Sequence, residues 1–340
     1  MREKVTIQDI ARRAGVSAST VSRTLHDHPK ITAETKRRVL EAAEELHYKS
    51  TIYPTLSSSA RLLAIVLPNA EEELLRHPFF TSVLRGVSLA AQARGYLVTY
   101  GFAASHTEKM EILTRCLSTP AVRGFVLLRA YQNDPGVDAL IAQDVPFSLI
   151  GRPESSQDIL WVDNDNFHAA YDAVNHLIEN GCRRIAFVGG PESMTVTRDR
   201  LEGYRMALTN RGLQFDDALV GFAEAFGEPG GFQSMRRMLA QCSPDSLLAS
   251  DDYLAMGALR AAKEHGSHDL QCVGFNNTEL SPHSYPPFSS VEIYPEQLGR
   301  HAATLVLERI ENGDNDERHV VVPTRLVVRG TLAQTAPTGA

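Results

Sequence analysis

Apolar residues at the start of the chain recur at helical spacing. Four of them fall at i, i+3, i+4 and i+7 and share one helix face: Ile7, Ile10, Ala11 and Ala14. Thr6 can cap this helix, with Asp9 three residues later as in a capping box. Gly15 supplies the left-handed residue that ends it. The pattern predicts a short amphipathic helix.

A second helix is predicted from Ala18 to Leu25, capped by Ser17. Its apolar residues turn back onto the first helix, which leaves small polar side chains and one arginine facing outward. A third helix, capped by Thr32, is predicted to cover the other two with Val39, Leu40, Ala43 and Leu46. Any helical hairpin could show such an outward face, but the third helix favours a helix-turn-helix whose second helix lies in the major groove of DNA.

Residues 6–48, TIQDIARRAGVSASTVSRTLHDHPKITAETKRRVLEAAEELHY, resemble the headpiece of the LacI/GalR family of bacterial repressors almost position by position. The headpiece residues expected to contact DNA are Thr6, Ser17, Ala18, Ser19, Thr20, Ser22, Arg23 and His26. Arg23 is expected to contact a base, guanine by preference, because a guanidinium can bond two of its acceptors at once.

Residues 49–61 are rich in serine and threonine and predict a linker. The resemblance implies a hinge that becomes helical on the operator and inserts a leucine into the minor groove. The usual Asn-x-x-Ala-Arg-x-Leu pattern is missing, and Pro54 stands in the middle. Proline costs about 3 kcal/mol inside a helix but is accepted at its first position. Either a short helix starts at Pro54 and Leu56 is the wedge, which we favour, or this hinge works differently.

From Leu62 onward, short apolar runs alternate with amphipathic segments, which predicts an α/β fold of doubly wound parallel sheets. The predicted strands cover 62–68, 96–101, 124–128, 147–151, 159–162, 184–190, 219–225, 246–250, 272–276, 289–293 and parts of 320–330. The predicted helices cover 80–94, 108–117, 137–142, 167–179, 198–210, 231–239, 253–265 and 295–311.

The predicted organisation is a headpiece (1–48), a hinge (49–61), a two-lobed core (62–332) and a disordered tail (333–340). Lobe 1 is placed at about 62–160 plus 291–320, and lobe 2 at about 161–290 plus 321–332. Two lobes whose chain crosses three times resemble the periplasmic-binding-protein-like core of the same family. Ligands of open parallel sheets bind beyond the carboxyl ends of the strands, so the cleft between the lobes is the expected site.

The charge distribution and the motifs limit the classes of function that the chain can have. The net charge is −7, but residues 1–49 hold 10 Lys/Arg against 7 Asp/Glu, which confines phosphate contact to the head. Four scattered cysteines, a polar N-terminus and the lack of a long apolar run predict a protein of the reducing cytoplasm. No catalytic motif occurs, and the adjacent carboxylates Asp251 and Asp252 are expected to point apart, so neither an enzyme nor a metal or cofactor is expected.

Candidate effector residues follow the predicted strands: Phe79, Arg152, Arg200, Phe226, Asp251 and Asn276. Polar planar groups hydrogen-bond sugar hydroxyls, and aromatic rings stack on the apolar face of the sugar ring. Four positions also match effector-binding positions of the family: Arg200 in RDRLEGY, Asp251, Asn276, where Asp is more usual, and Phe226, where relatives place an aromatic ring that stacks on the ligand. Core packing remains the alternative for Phe226, and a plain surface role for Arg152. His77 and Phe80 could extend the aromatic wall, while Trp161, Asp163 and Asp165 are interpreted as structural, turn or cap residues.

The predicted function is a dimeric repressor on a palindromic operator, controlled by a small sugar. The lack of a C-terminal leucine heptad argues against a tetramer. Core segments such as HPFFTSVLRGVSLAAQARGY, FSLIGRPES and WVDNDN resemble the maltose-operon repressors of the family, so maltose or a maltodextrin is the expected effector. The alternatives are the same fold responding to another sugar, a nucleoside or a phosphorylated carrier protein, and a sugar-binding transport protein, against which the headpiece argues.

Overall fold

The computed structural model describes residues 5–25, 30–46, 48, 60–68, 77–103, 105–128, 134–153, 159–267, 270–313 and 318–330. The chain divides into two compact units, Met1–Ala60 and Arg61–Ala340. The predictions for His26, for the Pro54–Leu56 hinge and for the 333–340 tail lie outside the described residues.

The first unit contains three helices at the predicted places. They are α1 (Ile7–Ala14), α2 (Ala18–Leu25) and α3 (Ala33–Glu45). The Asp9 carboxylate accepts hydrogen bonds from the backbone N–H and the hydroxyl of Thr6, at 2.9 and 2.7 Å. Gly15, at φ 65°, ends α1 in the left-handed region. Ser17 Oγ accepts from the Thr20 backbone N–H at 3.1 Å and so caps α2.

The three helices share a small apolar core. Its buried members are Ile10, Ala11, Ala14, Val21, Val39 and Ala42. One prediction for α3 is wrong: Leu40 is 47% exposed, whereas Ala42 is buried. Each helical residue turns by about 100°, so position 40 rotates out of the stripe that Val39, Ala43 and Leu46 continue.

The second unit alternates strands and helices. The strands are β1 (Leu62–Pro68), β2 (Leu97–Ala103), β3 (Val122–Leu128), β4 (Phe147–Ile150), β5 (Leu160–Asn164), β6 (Ile185–Gly189), β7 (Val220–Phe222), β8 (Ser246–Ala249), β9 (Gln271–Phe275), β10 (Ser289–Glu292), β11 (His319–Val322) and β12 (Arg325–Val327). The helices are α4 (Pro78–Ala93), α5 (His106–Leu117), α6 (Pro135–Ala142), α7 (Asn166–Glu179), α8 (Thr195–Asn210), α9 (Glu228–Leu239), α10 (Asp252–Glu264), α11 (Leu280–His283) and α12 (Pro295–Asn312).

The strands form two six-stranded sheets, and each sheet with its helices makes one lobe. The order in the first lobe is β11-β5-β4-β3-β1-β2, with every pairing parallel. The order in the second lobe is β12-β10-β9-β8-β6-β7, in which β10 and β12 alone pair antiparallel. The predicted α/β class with two mostly parallel sheets is confirmed.

The chain crosses between the lobes after β5, after β10 and after β11. The predicted boundary after residue 160 is wrong, because β5 stays paired with β11 of the first sheet as far as Asn164. The predicted return at residue 291 is also early, since β10 belongs to the second sheet. The side-chain amide of Asn164 donates to the carbonyls of Ile293 and Val322, at 3.1 and 2.9 Å, and so ties the three crossings together.

Two further differences follow from local chemistry. The strand expected over 219–225 is limited to Val220–Phe222, preceded by a 3₁₀ turn at Asp217–Leu219. Gly227 adopts φ 151° and lets α9 begin at Glu228, three positions before the expected start. Among the described residues, none of the helices combines the length and the apolar character that a bilayer span requires.

Candidate functional site

The outward face of α2 is the candidate DNA-reading surface of the first unit. Ala18, Ser19 and Arg23 are exposed, while Thr20 and Ser22 are half-buried. Arg23 forms no ion pair with any residue in the described part of the chain, and its side chain is exposed on this face. Thr6 and Ser17, also predicted to contact DNA, are exposed but already hydrogen-bonded as helix caps.

A cavity lies between the lobes of the second unit. Its lining includes five of the six predicted effector residues, namely Phe79, Arg200, Phe226, Asp251 and Asn276. The remaining lining residues are His77, Phe80, Ile150, Gly151, Asp163, Asn164, Asn166, Met194, Thr195, Val196, Ser250, Ile293 and Leu298.

Arg200 is the buried cation of this cavity, with 4% of its surface exposed. It projects from α8, where its Nε donates to Asn166 Oδ1 at 3.0 Å and its Nη1 to the Ser250 carbonyl at 2.5 Å. Burial lowers the pKa of Arg200 to about 10, so the side chain stays charged at neutral pH. Its two hydrogen bonds go to neutral acceptors, while nearby carboxylates, Asp163 first among them, favour its charged form.

Asp163, interpreted from the sequence as a turn residue, lies in the cavity wall. Its carboxylate accepts hydrogen bonds from the backbone N–H groups of Arg152 and Asn164, at 2.9 and 2.7 Å, and from the Asn166 amide at 2.8 Å. Burial raises its pKa to about 6. Because Asn166 bonds both Asp163 and Arg200, one hydrogen-bond network joins the end of β5 to the guanidinium of Arg200.

Asp251 caps α10 and also faces the cavity. Its Oδ1 accepts from the backbone N–H groups of Tyr253 and Leu254, at 2.7 and 3.0 Å. Its Oδ2 accepts from the Asn276 amide at 2.9 Å and lies 2.7 Å from Nε2 of His77. Asn276 itself sits at φ 90°, a region that asparagine tolerates better than most residues with a side chain.

Each lobe contributes one predicted aromatic wall. Phe79 of the first lobe packs edge-to-face on Phe80, with ring centroids 5.1 Å apart. Phe226 of the second lobe covers Gly190 so closely that a Cβ there would lie 2.5 Å from the ring. The small size of Gly190 therefore permits this ring position, and each lobe contributes one phenyl ring to the cavity wall.

Two hydroxyl groups of the cavity wall were missed by the sequence reasoning. The side-chain oxygens of Thr195 and Ser250 are buried and have no hydrogen-bond partner in the described structure. A buried hydroxyl without a partner costs about 1–3 kcal/mol, so a ligand that hydrogen-bonds it gains affinity. Ser250 directly follows β8, and the rule that selected Asp251 could have found it. Thr195 opens α8, and no predicted strand ends directly before it.

Arg152 is the predicted effector residue that the structure does not place in the described cavity lining. Its side chain is exposed, and its guanidinium lies 5.2 Å from the ring centroid of Trp161. Gly151 turns the chain at φ 119°, and only the backbone N–H of Arg152 reaches Asp163. Trp161 also stacks on His319, with centroids 4.6 Å apart, as suits a structural residue. Arg152 is therefore a surface arginine, the alternative considered above.

Comparisons with known proteins agree with this architecture. Residues 6–50 match the family model of bacterial regulatory proteins of the lacI family, and residues 174–332 match a periplasmic binding protein-like domain. The transcriptional regulator MalR of Streptococcus pneumoniae is 33% identical over 319 residues, which cover 92% of this chain and 95% of that protein.

Solved structures agree as well. A complex of the transcriptional regulator CelR with cellobiose superposes with a TM-score of 0.75 at 30% identity, covering 96% of this chain and 99% of that one. A probable maltose operon repressor from Staphylococcus aureus has the same fold, with a TM-score of 0.72 at 24% identity over 81% of this chain and 98% of that one. The relatives are regulators and not enzymes. This chain belongs to the LacI family of bacterial transcriptional repressors.

Proposed function

We propose that maltose or a short maltodextrin binds the cavity between the lobes and weakens operator binding. The observation that carries this proposal is the buried Arg200 together with the unpartnered hydroxyls of Thr195 and Ser250, in a cavity that Phe79 and Phe226 also line. A sugar ring matches this arrangement, because it offers hydroxyls at its edge and C–H groups on its faces.

The choice of a glucose disaccharide has two supports. The core segments resemble maltose-operon repressors, and the CelR structure at 30% identity holds cellobiose. Cellobiose and maltose each contain two glucose units and differ in the linkage between them. The single cation Arg200 makes no clamp for a phosphate group, which favours a neutral sugar over a phosphorylated one.

Isothermal titration calorimetry with maltose, maltotriose, cellobiose and glucose tests the proposal. Wild-type protein is expected to bind maltose, and Arg200→Ala is expected to bind it at least tenfold more weakly. A clear signal from cellobiose alongside none from maltose or maltotriose would reject the maltose assignment. Fluorescence anisotropy on an operator selected in vitro then measures how much maltose lowers the affinity for DNA. Allosteric coupling typically changes an affinity by a factor of about 5–150.

We further propose that the chain acts in the bacterial cytoplasm as a homodimer on a palindromic operator. One headpiece buries too little DNA surface for tight binding, and two headpieces read paired half-sites. Exposed apolar side chains support the pairing. On edge strand β2, Leu97 and Tyr100 are 56% and 57% exposed, and in the second lobe Tyr285 is 94% exposed. Leu97 and Tyr100 lie on the same edge strand, and exposed apolar residues that cluster mark contact surfaces.

A further inference from the structure

Two residues from opposite lobes meet in a hydrogen bond across the cavity. His77 precedes α4 of the first lobe, and Asp251 precedes α10 of the second. The distance from His77 Nε2 to Asp251 Oδ2 is 2.7 Å. Both side chains are nearly shielded from solvent, with 12% and 2% of their surfaces exposed. Water therefore competes little for this bond.

The direction of this hydrogen bond follows from the other side of the imidazole. His77 Nδ1 accepts from the backbone N–H of Phe79 at 3.3 Å, which is how His77 caps α4. A neutral ring that accepts at Nδ1 carries its proton on Nε2. His77 therefore donates to Asp251.

The Asp251 carboxylate is thereby saturated. An ionised carboxylate offers about four acceptor sites. Two are filled by the backbone N–H groups of Tyr253 and Leu254, one by the Asn276 amide and one by His77. Of these four donors, only His77 comes from the first lobe. A ligand hydroxyl can reach Asp251 only by displacing a donor, so Asp251 serves first as an anchor between the lobes.

The imidazole is also held between rings of both lobes. Its centroid lies 4.7 Å from that of Tyr253 in the second lobe, at an interplanar angle of 32°. On the first-lobe side it meets Phe80 edge-on at 5.7 Å. Separating the lobes would break the hydrogen bond and the contact with Tyr253 together.

We propose that His77 is an interlobe latch: its hydrogen bond to Asp251 favours the closed arrangement of the lobes and so retains a ligand in the cavity. The latch itself rests on the geometry of His77, Asp251 and Tyr253. Its effect on effector affinity rests on the proposed function. His77 acts through the position of Asp251 and of the second lobe, so it is a positioning residue.

Hydrogen exchange of the full chain without added sugar tests the latch. His77→Phe keeps a ring against Tyr253 but donates nothing to Asp251, whereas His77→Gln keeps a donor at similar reach. The matched control is His168→Phe, because His168 also lies 2.7 Å from an aspartate, Asp165, but within one lobe. The reporters are cavity-wall amides that do not touch His77, at 195–200 and 150–152.

His77→Phe is expected to speed exchange of both reporter segments at least fivefold, with His77→Gln and His168→Phe close to wild type. Melting temperatures within a few degrees of wild type show that every variant is folded. Unchanged exchange in folded His77→Phe would overturn the latch. Exchange in His77→Gln as fast as in His77→Phe would overturn it too, because ring shape and not the donor would then hold the lobes.

Maltose titration of the same variants tests the coupling to the ligand. His77→Phe is expected to weaken maltose binding several-fold through faster dissociation, and His77→Gln is expected to restore most of it. Equal maltose affinity in His77→Phe and wild type would overturn the claim that the latch retains the ligand. If wild-type protein binds no maltose, the proposed effector fails, while the exchange experiment still decides the latch.

Discussion

The guanidinium of Arg200 lies 3.8 Å from the ring centroid of Phe275, at the end of β9. The ring therefore limits the rotation of the side chain from one face, while Asn166 and the Ser250 carbonyl hold its edge. A cation fixed in this way meets a ligand without first losing side-chain entropy. The network consequently positions Arg200 before any ligand binds.

Replacing Arg200 by lysine should retain the charge and lose the function. An ammonium group cannot lie flat on Phe275 and bond Asn166 at the same time. The dissociation constant for maltose should rise at least tenfold, which corresponds to about 1.4 kcal/mol. Calorimetry measures it. The control is Arg211→Lys, because Arg211 bonds Asn175 and Glu179 elsewhere on the second lobe. Equal losses in both variants would indicate general destabilisation and contradict the prediction.

Arg23→Ala should weaken operator binding by about 1–3 kcal/mol and relax the preference at one base pair per half-site. The reason is that Arg23 is exposed on α2 and free of ion pairs among the described residues. Arg37→Ala is the control, since Arg37 is occupied by Glu34 and Glu41 on α3. Anisotropy on the operator and its single-base variants measures both. If Arg23→Ala weakens every sequence equally, Arg23 contacts only a phosphate.

The stability of the core should fall as pH rises from about 4 to 7 because of Asp252. Burial raises the pKa of this carboxyl from 3.8 to about 7, although Ser290 and Thr278 donate hydrogen bonds to it. The unfolded chain releases the proton near pH 4 and the folded chain near pH 7. Between these values a rising pH therefore favours unfolding, by at most about 4 kcal/mol.

Asp252→Asn should flatten this part of the pH profile and stabilise the protein at pH 8. The Asn oxygen can accept from the Thr278 N–H, and the Ser290 hydroxyl can reverse to accept from the new amide. Urea unfolding at pH 4.5, 6 and 8 measures the effect. Asp172→Asn, at an exposed carboxyl on α7, is expected to leave the profile unchanged. If the stability of Asp252→Asn falls with pH as steeply as that of wild type, another group causes the pH dependence.

Leu97→Asp should convert the proposed dimer to a monomer at micromolar concentration. A charge on the exposed edge strand β2 would be buried without a partner in an interface there. Sedimentation velocity measures the oligomeric state. Ile141→Asp provides the control, because Ile141 is also an exposed apolar residue, 39% accessible, but lies on α6. A Leu97→Asp protein that remains dimeric would place the interface elsewhere.

Local patterns, such as apolar runs and helix caps, are the features that the sequence predicts best. The strand Leu62–Pro68 and the helix caps at Thr6, Gly15 and Ser17 are local patterns, and the structure confirms them. The position of the candidate site in the cleft was predicted from the rule that ligands bind beyond the carboxyl ends of parallel strands.

The direction in which an individual side chain points could not be predicted from such local patterns. Arg152 follows a strand as Asp251 does, but the turn at Gly151 brings its backbone and not its guanidinium to the network. Asp163 resembled a turn residue because two of its partners, Asn164 and Asn166, are local, whereas its contact with the backbone N–H of Arg152 forms only in the fold. The His77–Asp251 contact joins residues 174 positions apart, a separation that no periodic pattern records.

Asn164 has a mechanical consequence. Three chain crossings would give the two lobes three separate joints, each free to bend and twist by its own amount. The buried amide of Asn164 is bonded to the carbonyls of Ile293 and Val322, so a joint that bends alone must break one of these bonds. A buried donor left without its acceptor costs about 1–3 kcal/mol. Movements in which the three joints bend together are therefore favoured over movements of one joint.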